Sequence, residues 1–389
     1  MTERRLLMIP GPIELEPEVL RALGTKTRGH LDPDFMALFG RALQNLREVF
    51  HAPAAQPFVV AGSGTLAMEL AAMNVVEPGE AVLVVDTGWF SDRMARILDR
   101  LGAEVVRVSA PPGSCPDPTE VERLLGTGRF AAMTLTHVDT STGVRIPLEA
   151  FATVARAHGV LTIVDGVCSV GGEELRQEAW GLDVVLTGSQ KALGVPPGLA
   201  VVLASPRALF KHRARRTPVP SLYVDFAEWL PVMEAYEAGR PAYFATPAVN
   251  LITALDASLL HLVAEGMEPR IARHARLATA MRAGLRALGL ELLPSEESLC
   301  ASTLSAIRYP KGVDASLVGR MRDEGIVVAG GLLPELKGTY FRIGHMGAHQ
   351  ESDVLAVLGA LERALDRSGV DVDLGSGLGA AQSALLRLT

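Results

Sequence analysis

Short apolar runs alternate with amphipathic segments between about residue 60 and residue 205. The apolar runs are typical of strands buried on both faces, and they lie at 81–86, 103–110, 130–138, 160–165, 183–188 and 199–205. Helical periodicity predicts the intervening helices over 62–76, 91–102, 118–125 and 148–159. Strands that alternate with helices of this length predict an α/β fold, with a mostly parallel sheet covered by helices on both sides.

The pattern changes after about residue 248. A long stretch rich in Ala, Leu and Arg predicts helix over 250–290, and further helices are predicted over 314–325 and 351–366. Strands are predicted over 302–310, 326–331 and 338–347. This mixture predicts a second, smaller α+β unit, followed by a Gly- and Ala-rich tail that we expect to be partly mobile. The expected domains are an N-terminal arm, a large domain, a small C-terminal domain and the tail, over 1–20, 21–255, 256–367 and 368–389.

Composition narrows the classes of protein to consider. The 389 residues are 48% hydrophobic and 21% charged, which is ordinary for a folded globular protein. The formal net charge is -7, which argues against a nucleic-acid partner. No apolar run approaches the roughly 18 residues of a membrane span, and Pro10 and Pro12 interrupt the first apolar segment, so no signal peptide is predicted.

Three cysteines, Cys115, Cys168 and Cys300, stand far apart in the sequence. Such spacing predicts reduced thiols rather than a disulfide framework, and the His and Cys positions predict no metal site. No peroxisomal tripeptide ends the sequence. We therefore expect a soluble cytoplasmic protein with no membrane or nucleic-acid partner.

A lysine occupies a position that the pattern predicts to be interior. Lys191 follows the strand over 183–188 and precedes an apolar Gly/Pro-rich segment. Lysine is rarely buried without a partner, so its side chain either reaches the surface or takes part in chemistry. Asp165 ends the strand over 160–165 and also needs a donor or a cation. A loop amide or a helix N-terminus is the ordinary partner for such an aspartate.

Other strand ends carry small, aromatic or hydroxyl residues. AGSGT over 61–65 opens a helix and can cradle an anion, although a tight turn explains it equally well. Trp89 and Phe90 either stack on a ring or cover the sheet edge, and hydroxyls crowd 136–143. Ligands bind at the carboxyl ends of such strands. Pyridoxal 5'-phosphate needs a lysine, an acid at its ring nitrogen, a phosphate cup and a stacking aromatic.

The segments that carry these residues resemble the fold-type I, class V aminotransferases, in particular the alanine–glyoxylate and serine–pyruvate aminotransferases. The segments are IPGPIELEPEVL, AGSGTLAMELA, GWFSDR, THVDTSTGV, VDGVCSVGG, TGSQKALGVPPG, YFATPAVNL and FRIGHMG. The resemblance implies a large domain that binds pyridoxal 5'-phosphate on a mostly parallel seven-stranded sheet, and a smaller C-terminal α+β domain. It also implies a homodimer with active sites at the subunit interface.

The resemblance also implies catalytic and substrate-binding roles. Lys191 would bind the cofactor as a Schiff base and move the substrate proton. Asp165 would keep the ring nitrogen protonated, and Thr140 would contact the ring face or its phenolate oxygen. Arg342 would grip the substrate carboxylate in a bidentate pair, and the backbone at Gly11 would border the substrate.

The same resemblance implies further cofactor contacts. Phe90, rather than Trp89, takes the ring-stacking position, where many relatives have tryptophan. Tyr243 and Thr246 would reach the phosphate in the neighbouring subunit. The phosphate cup would be formed by Ser63, Gly64, Thr65 and Gln190.

We therefore expect an aminotransferase that moves the amino group of L-alanine to glyoxylate, giving pyruvate and glycine in two half-reactions. Serine as the donor is the alternative within the same chemistry. A lyase of the same fold, or a protein that only binds the cofactor, is the alternative from another class. A lyase would consume no oxo acid, and a binding protein would hold the cofactor without converting it.

Overall fold

The six predicted strands of the first half form one seven-stranded sheet together with β2 in a computed structural model that describes residues 5–387. The strands of the chain are β1 Leu6–Leu7, β2 Gln56–Ala61, β3 Ala81–Asp86, β4 Glu104–Ser109, β5 Phe130–Thr136, β6 Val138–Asp139, β7 Val144–Arg145, β8 Leu161–Asp165, β9 Val184–Gly188, β10 Leu199–Ala204, β11 Leu304–Arg308, β12 Ile326–Val327, β13 Ala329–Gly330 and β14 Tyr340–Gly344. The large sheet has the order β2-β10-β9-β8-β5-β3-β4. Only β10 runs antiparallel to its neighbours in this sheet, so the mostly parallel α/β fold is confirmed.

Helices connect and cover the strands. They are α1 Pro17–Leu23, α2 Pro33–Val49, α3 Gly64–Val75, α4 Trp89–Arg100, α5 Pro118–Leu125, α6 Leu148–Ala157, α7 Pro206–Arg213, α8 Phe226–Glu237, α9 Val249–Glu265, α10 Met267–Ala287, α11 Ser316–Asp323, α12 Glu351–Asp366 and α13 Ser376–Arg387. Strand β2 and helices α1, α2, α7 and α8 were not predicted from the sequence. The predicted strands 81–86, 160–165 and 183–188 agree with β3, β8 and β9 to within one residue.

Burial explains why apolar and polar residues do not alternate along the central strands. Every residue of β8, β9 and β10 is buried, because helices cover both faces of the sheet there. The edge strand β4 is half exposed and carries charged residues such as Glu104 and Arg107. The sheet therefore places its apolar centre around β8 and β9, whose carboxyl ends carry Asp165 and lead to Lys191.

The second half differs from the prediction in two places. The helix predicted over 250–290 is two helices, α9 and α10, which are bent by 87° at Gly266. Gly266 has φ +80°, a conformation that ends the first helix at no steric cost only for glycine. The strand predicted over 326–331 is two short strands: β12 pairs with β1, and β13 pairs with β14.

Most of the described C-terminal tail forms a packed helix, which the sequence did not predict. Residues 376–387 form α13, which packs on α10 and α12 with Ala381 and Leu385 buried. The Glu362 carboxylate accepts the backbone N–H groups of Gly375 and Leu378 at the start of this helix. A Cβ at Gly377 would lie 2.9 Å from Leu288 Cγ, so the small residues allow a close approach. The Gly/Ala-rich composition therefore serves packing. Residues 388–389 lie outside the described part.

The N-terminal arm crosses from the small unit to the lysine. Leu6 and Leu7 pair with Ile326 and Val327, and Gly344 N–H donates to the Met8 carbonyl. The chain then turns at Gly11, which lies against Lys191. The arm predicted over 1–20 includes residues 1–4, which lie outside the described residues.

Two large clusters of buried apolar side chains organise the chain. One surrounds the large sheet and includes the buried apolar residues of α9. The other packs α10, α12 and α13 on the small sheet β11-β14-β13. The predicted domain boundaries stay a prediction. Within residues 5–387 no single helix is long and apolar enough to cross a membrane, and α9 and α10 reach that length and composition only as a bent pair.

Candidate active site

Adjacent strands bring the predicted chemical groups to one edge of the large sheet. Asp165 ends β8, and Lys191 follows β9, which is its neighbour. On the other side of β8, the chain that leaves β5 carries Thr140. The carboxyl ends of parallel strands meet at one edge, which is where open α/β sheets bind ligands. The sheet order thus converts residues that are distant in sequence into one site.

Asp165 is a buried carboxylate with a single hydrogen bond that holds its side chain. Its Oδ1 accepts the Val167 N–H at 2.9 Å. Burial raises the pKa of Asp165 to about 6, and the nearby Lys191 charge opposes that rise. A carboxylate in this setting gains strongly from a cationic N–H partner, such as a pyridinium nitrogen.

Lys191 is buried, and its amine does not reach the surface. Its Nζ donates a hydrogen bond to the Pro10 carbonyl of the N-terminal arm. Among the described residues no carboxylate lies within ion-pair distance of Nζ. Burial lowers the pKa of Lys191, and the charge of Arg342 lowers it further. The amine is therefore easier to deprotonate than an exposed lysine, as a nucleophile or a base requires.

Gly11 lies directly on the Lys191 side chain. A Cβ at Gly11 would lie 2.6 Å from Lys191 Cδ and 2.9 Å from Nζ. Gly11 also has φ +120°, which side-chain-bearing residues rarely adopt. The arm therefore borders the amine, at the position where the sequence analysis expected the substrate.

Arg342 lies in the middle of β14 and points toward the same site. Its Nε donates to the Gly330 carbonyl at 2.9 Å, and its Nη1 donates to the Thr140 carbonyl at 3.1 Å. No Asp or Glu of the described chain pairs with this guanidinium, whose pKa is lowered by burial. A partly buried arginine held by two carbonyls, with no acid beside it, is suited to bind a carboxylate from outside the chain.

The start of α3 forms an anion cup. A Cβ at Gly188 would lie 3.2 Å from the Gly64 nitrogen and 2.8 Å from Gln190 Oε1, so these two groups face each other across Gly188. The Gln190 Oε1 position is buried and has no hydrogen-bond partner in the described structure. Ser63 stands exposed at the N-cap of α3 and makes no side-chain cap bond. The cup thus has polar groups still to be satisfied.

A cation completes this cup. Arg93 Nη1 donates to Thr65 Oγ1 at 2.9 Å, and its guanidinium lies 4.9 Å over the Phe90 ring. A helix N-terminus, a guanidinium and a side-chain hydroxyl together fit a phosphate group. Arg93 lies in the segment GWFSDR, and no role was predicted for it from the sequence.

Phe90 and Trp89 have different surroundings in the first turn of α4. Trp89 packs against an apolar cluster that includes Leu333 and Tyr340. Phe90 is held by its backbone N–H, which donates to Asp139 Oδ2 at 3.1 Å. Only Phe90 of the two therefore stands beside Arg93 and the cup.

Asp139 is a functional candidate that the sequence analysis missed. This buried carboxylate accepts backbone N–H groups of Phe90, Ser91 and Ser141, and burial raises its pKa. It thereby fixes the start of α4 relative to the loop that carries Thr140. The signal was available, because Asp139 follows a buried strand just as Asp165 does.

Tyr243 and Thr246 lie apart from this group in the described chain. The Tyr243 hydroxyl is 3.5 Å from Thr246 Oγ1, and its ring packs on His30 at 5.3 Å. Tyr243 is 62% exposed. Their predicted contact with the neighbouring subunit's phosphate stays a prediction.

All three cysteines are free thiols. Cys168 is buried beside Thr303, with 3.7 Å between Sγ and Oγ1. Among residues 5–387 no three His, Cys, Asp or Glu side chains are grouped so that they could hold a metal ion.

A lysine, an acid and an anion cup at this edge of an α/β sheet define a pyridoxal 5'-phosphate enzyme of fold type I. The sequence model of the family Aminotransferase class-V matches residues 17–333. The chain belongs to this family, and its cofactor is pyridoxal 5'-phosphate, whose phosphate fits the donors at the start of α3 and on Arg93 and whose ring nitrogen fits the buried Asp165.

Known proteins are similar over almost the whole chain. Alanine–glyoxylate aminotransferase 1 of Saccharomyces cerevisiae is 40% identical over 88% of this chain and 91% of its own. L-aspartate–glyoxylate aminotransferase of Paracoccus denitrificans is 34% identical over 98% and 96%. The crystal structure of pyridoxamine-pyruvate aminotransferase from Mesorhizobium loti matches 100% of this chain and 98% of its own, with 30% identity and a TM-score of 0.94. Aminotransferase is therefore the reaction class, and these relatives differ in substrate.

Proposed function

We propose that the protein transfers the amino group of L-alanine to glyoxylate. The observation that carries this proposal is Arg342. Its partly buried guanidinium lies near Lys191 and has no acid partner in the described chain. Both substrates carry a carboxylate next to the reacting carbon, and a guanidinium binds such a group in a planar, bidentate pair. The name of the yeast relative supports alanine and glyoxylate as the pair.

The chain's own groups divide the work as follows. Arg342 binds and orients the carboxylate, which fixes the substrate Cα relative to Lys191. When bound, the cofactor supplies an electron-withdrawing ring that stabilises negative charge at Cα. Lys191 Nζ would hold the cofactor, and as a free amine it would accept the Cα proton, since burial has lowered its pKa. Asp165 holds a proton at the ring nitrogen, and its own burial strengthens that pair.

The remaining site residues hold the cofactor. The cup residues Ser63, Gly64, Thr65 and Gln190, together with Arg93, would bind its phosphate, and Phe90 would cover one ring face. Thr140 would contact the ring from the β5 side.

Small donors are favoured by the position of the arm. Because Gly11 already lies in contact distance of Lys191, the space above the amine is limited on that side. A methyl side chain needs only such an apolar wall, whereas the hydroxyl of serine or the carboxylate of aspartate needs a fixed polar partner. The position of the arm therefore favours a donor with a small side chain, such as alanine, over the larger aspartate.

The exposed Tyr243 and Thr246 support a homodimer with shared sites. Tyr243 stands 62% exposed, so its ring is available for contact with a second chain. Sedimentation of the protein, with and without a Tyr243→Ala change, would test whether two chains associate through this face.

An absorption titration tests the proposed reaction. We expect alanine to bleach the cofactor band of the purified holoenzyme and glyoxylate to restore it. Parallel titrations with serine and aspartate rank the donors. Bleaching by serine or aspartate but not alanine would refute alanine as the donor, and release of ammonia without consumption of an oxo acid would indicate a lyase.

A further inference from the structure

A buried arginine on α10 lies directly behind the residues assigned to the cofactor. Arg270 is 5% exposed and lies on α10, a helix whose later residues pack in the second apolar cluster. Its Nη1 donates to Glu265 Oε2 at 2.7 Å, and this carboxylate also pairs with Arg273. The other two donor positions face the large sheet rather than solvent.

These donors join the loops that follow the two catalytic strands. Arg270 Nε donates to the Gly171 carbonyl at 2.8 Å, and Nη2 donates to the Ala192 carbonyl at 2.8 Å. Ala192 is the residue after Lys191, and Gly171 lies in the turn that begins at Asp165. One planar side chain thus fixes the distance between the Lys191 loop and the Asp165 loop.

The two loops also touch each other at this point. A Cβ at Gly171, which has φ +81°, would lie 3.3 Å from the Ala192 carbonyl oxygen. Two carbonyls that converge in this way repel unless a donor lies between them. The Arg270 fork supplies both donors from one rigid group.

The next turn of α10 extends the connection to the Arg342 strand. The Arg270 carbonyl is 2.8 Å from His274 Nδ1, and the Gly347 N–H donates to His274 Nε2 at 2.9 Å. Gly347 follows β14, which carries Arg342. Through Arg270 and His274, α10 therefore contacts all three loops or strands that carry the proposed site.

We propose that Arg270 is a positioning residue that sets Lys191 relative to Asp165 by holding the carbonyls of Ala192 and Gly171. This inference rests on the proposed function, because it needs Lys191 and Asp165 to act on one cofactor. Arg270 itself touches neither the cup nor the amine. Its removal leaves both carbonyls without their donor and frees two loops to shift.

Hydrogen exchange and kinetics of three variants test the proposal. Arg270→Gln removes the fork, and Arg270→Lys keeps the charge beside Glu265 but not the planar pair of donors. Arg282→Gln is the matched control, because Arg282 lies on the same helix, is 9% exposed, and donates to Glu297 and to the Ala301 carbonyl. Each variant is examined with cofactor bound and with cofactor removed.

We expect Arg270→Gln to lower kcat by about 10- to 100-fold with KM for alanine nearly unchanged, because a shift of the order of 1 Å at reacting groups has such an effect. In the cofactor-free protein, amides of 166–172 and 191–195 should exchange about tenfold faster. Arg270→Lys should restore the unfolding midpoint but should restore neither kcat nor the slow exchange of the loop amides. Arg282→Gln should leave kcat and both loops as in the unsubstituted protein.

Several results would overturn the proposal. One is an Arg270→Gln protein whose two loops exchange as slowly as in the unsubstituted protein. Another is full recovery of kcat in Arg270→Lys. A third is an Arg282→Gln protein whose loops exchange as fast as those of Arg270→Gln. If Arg270→Gln does not fold, the lysine variant alone decides between charge and fork geometry. Failure of the proposed function is separate, because it shows as an unsubstituted protein whose cofactor band does not respond to amino acids, while exchange of the cofactor-free loops remains measurable.

Discussion

Replacing Gly11 by alanine tests whether the N-terminal arm controls the position of the proposed catalytic lysine. The added Cβ would lie 2.6 Å from Lys191 Cδ, 2.8 Å from Cε and 2.9 Å from Nζ. Ordinary van der Waals contact begins at 3.4 Å, so the nearest atom is about 0.8 Å too close. The lysine side chain is flexible, and we expect it to move rather than the backbone around it.

Two effects of this change have separable magnitudes. Displacement of the amine by nearly 1 Å should lower kcat by about 100-fold. The φ of +120° at Gly11 adds backbone strain of about 1–3 kcal/mol for any residue with a side chain. The first effect is local to Lys191, whereas the second lowers the free energy of unfolding of the whole chain.

Single-turnover bleaching of the cofactor band by alanine measures the first effect, and urea unfolding measures the second. Gly79→Ala is the matched control, because Gly79 has φ +81° and no atom within 4 Å of its Cβ position. We expect this control to lose about 1 kcal/mol of stability and to keep its bleaching rate. A Gly11→Ala protein that bleaches as fast as the unsubstituted protein would refute the reasoning, because the arm would then not constrain Lys191.

Three further changes have directions set by the structure. Burial raises the pKa of Asp165 from 3.8 to about 6, so the folded cofactor-free protein loses stability as pH rises from about 4 to 6. The free energy of unfolding of Asp165→Asn, measured with urea, should therefore rise by about 3 kcal/mol relative to that of the unsubstituted protein between pH 4 and pH 7. A difference between the two proteins that does not change with pH would contradict this. Arg342→Gln should lower kcat/KM for alanine by about 100-fold and leave cofactor binding unchanged, with partial recovery in Arg342→Lys; weakened cofactor binding would argue against a substrate role. Leu385→Ala should cost about 2–5 kcal/mol, against at most about 0.5 for the exposed Leu374→Ala, and equal unfolding midpoints would mean that α13 does not stabilise the fold.

Much of the candidate site was predictable because its residues follow strands. Lys191 and Asp165 stand out as charged residues at the ends of apolar runs, and a sheet built from such runs must place them at one edge. Asp139 obeys the same rule and was overlooked among hydroxyl residues. Arg270 was not predictable in this way, because its partners are backbone carbonyls, and a carbonyl is present at every position of a sequence.

The second half shows where local pattern is insufficient. The 250–290 stretch is helical throughout by composition, and the 87° bend depends on one glycine with φ +80°. The tail lacks a strong apolar period, yet it forms α13, because α10 and α12 offer a surface on which glycine and alanine pack closely. Helix α13 depends on this packing, so its own sequence only weakly predicts a helix.

The sequence by itself determined the α/β class, six of the seven strands of the large sheet and the two charged residues at the ends of two of them. Apolar periodicity is a local property, and it reports whether a segment will be buried on one face or on both. Only the tertiary structure decided that Gly11 lies on Lys191, that Arg93 completes the cup and that Arg342 faces the site with no acid partner among residues 5–387. These are contacts between segments far apart in the chain, and they arise when the arm and the small sheet pack on the large one.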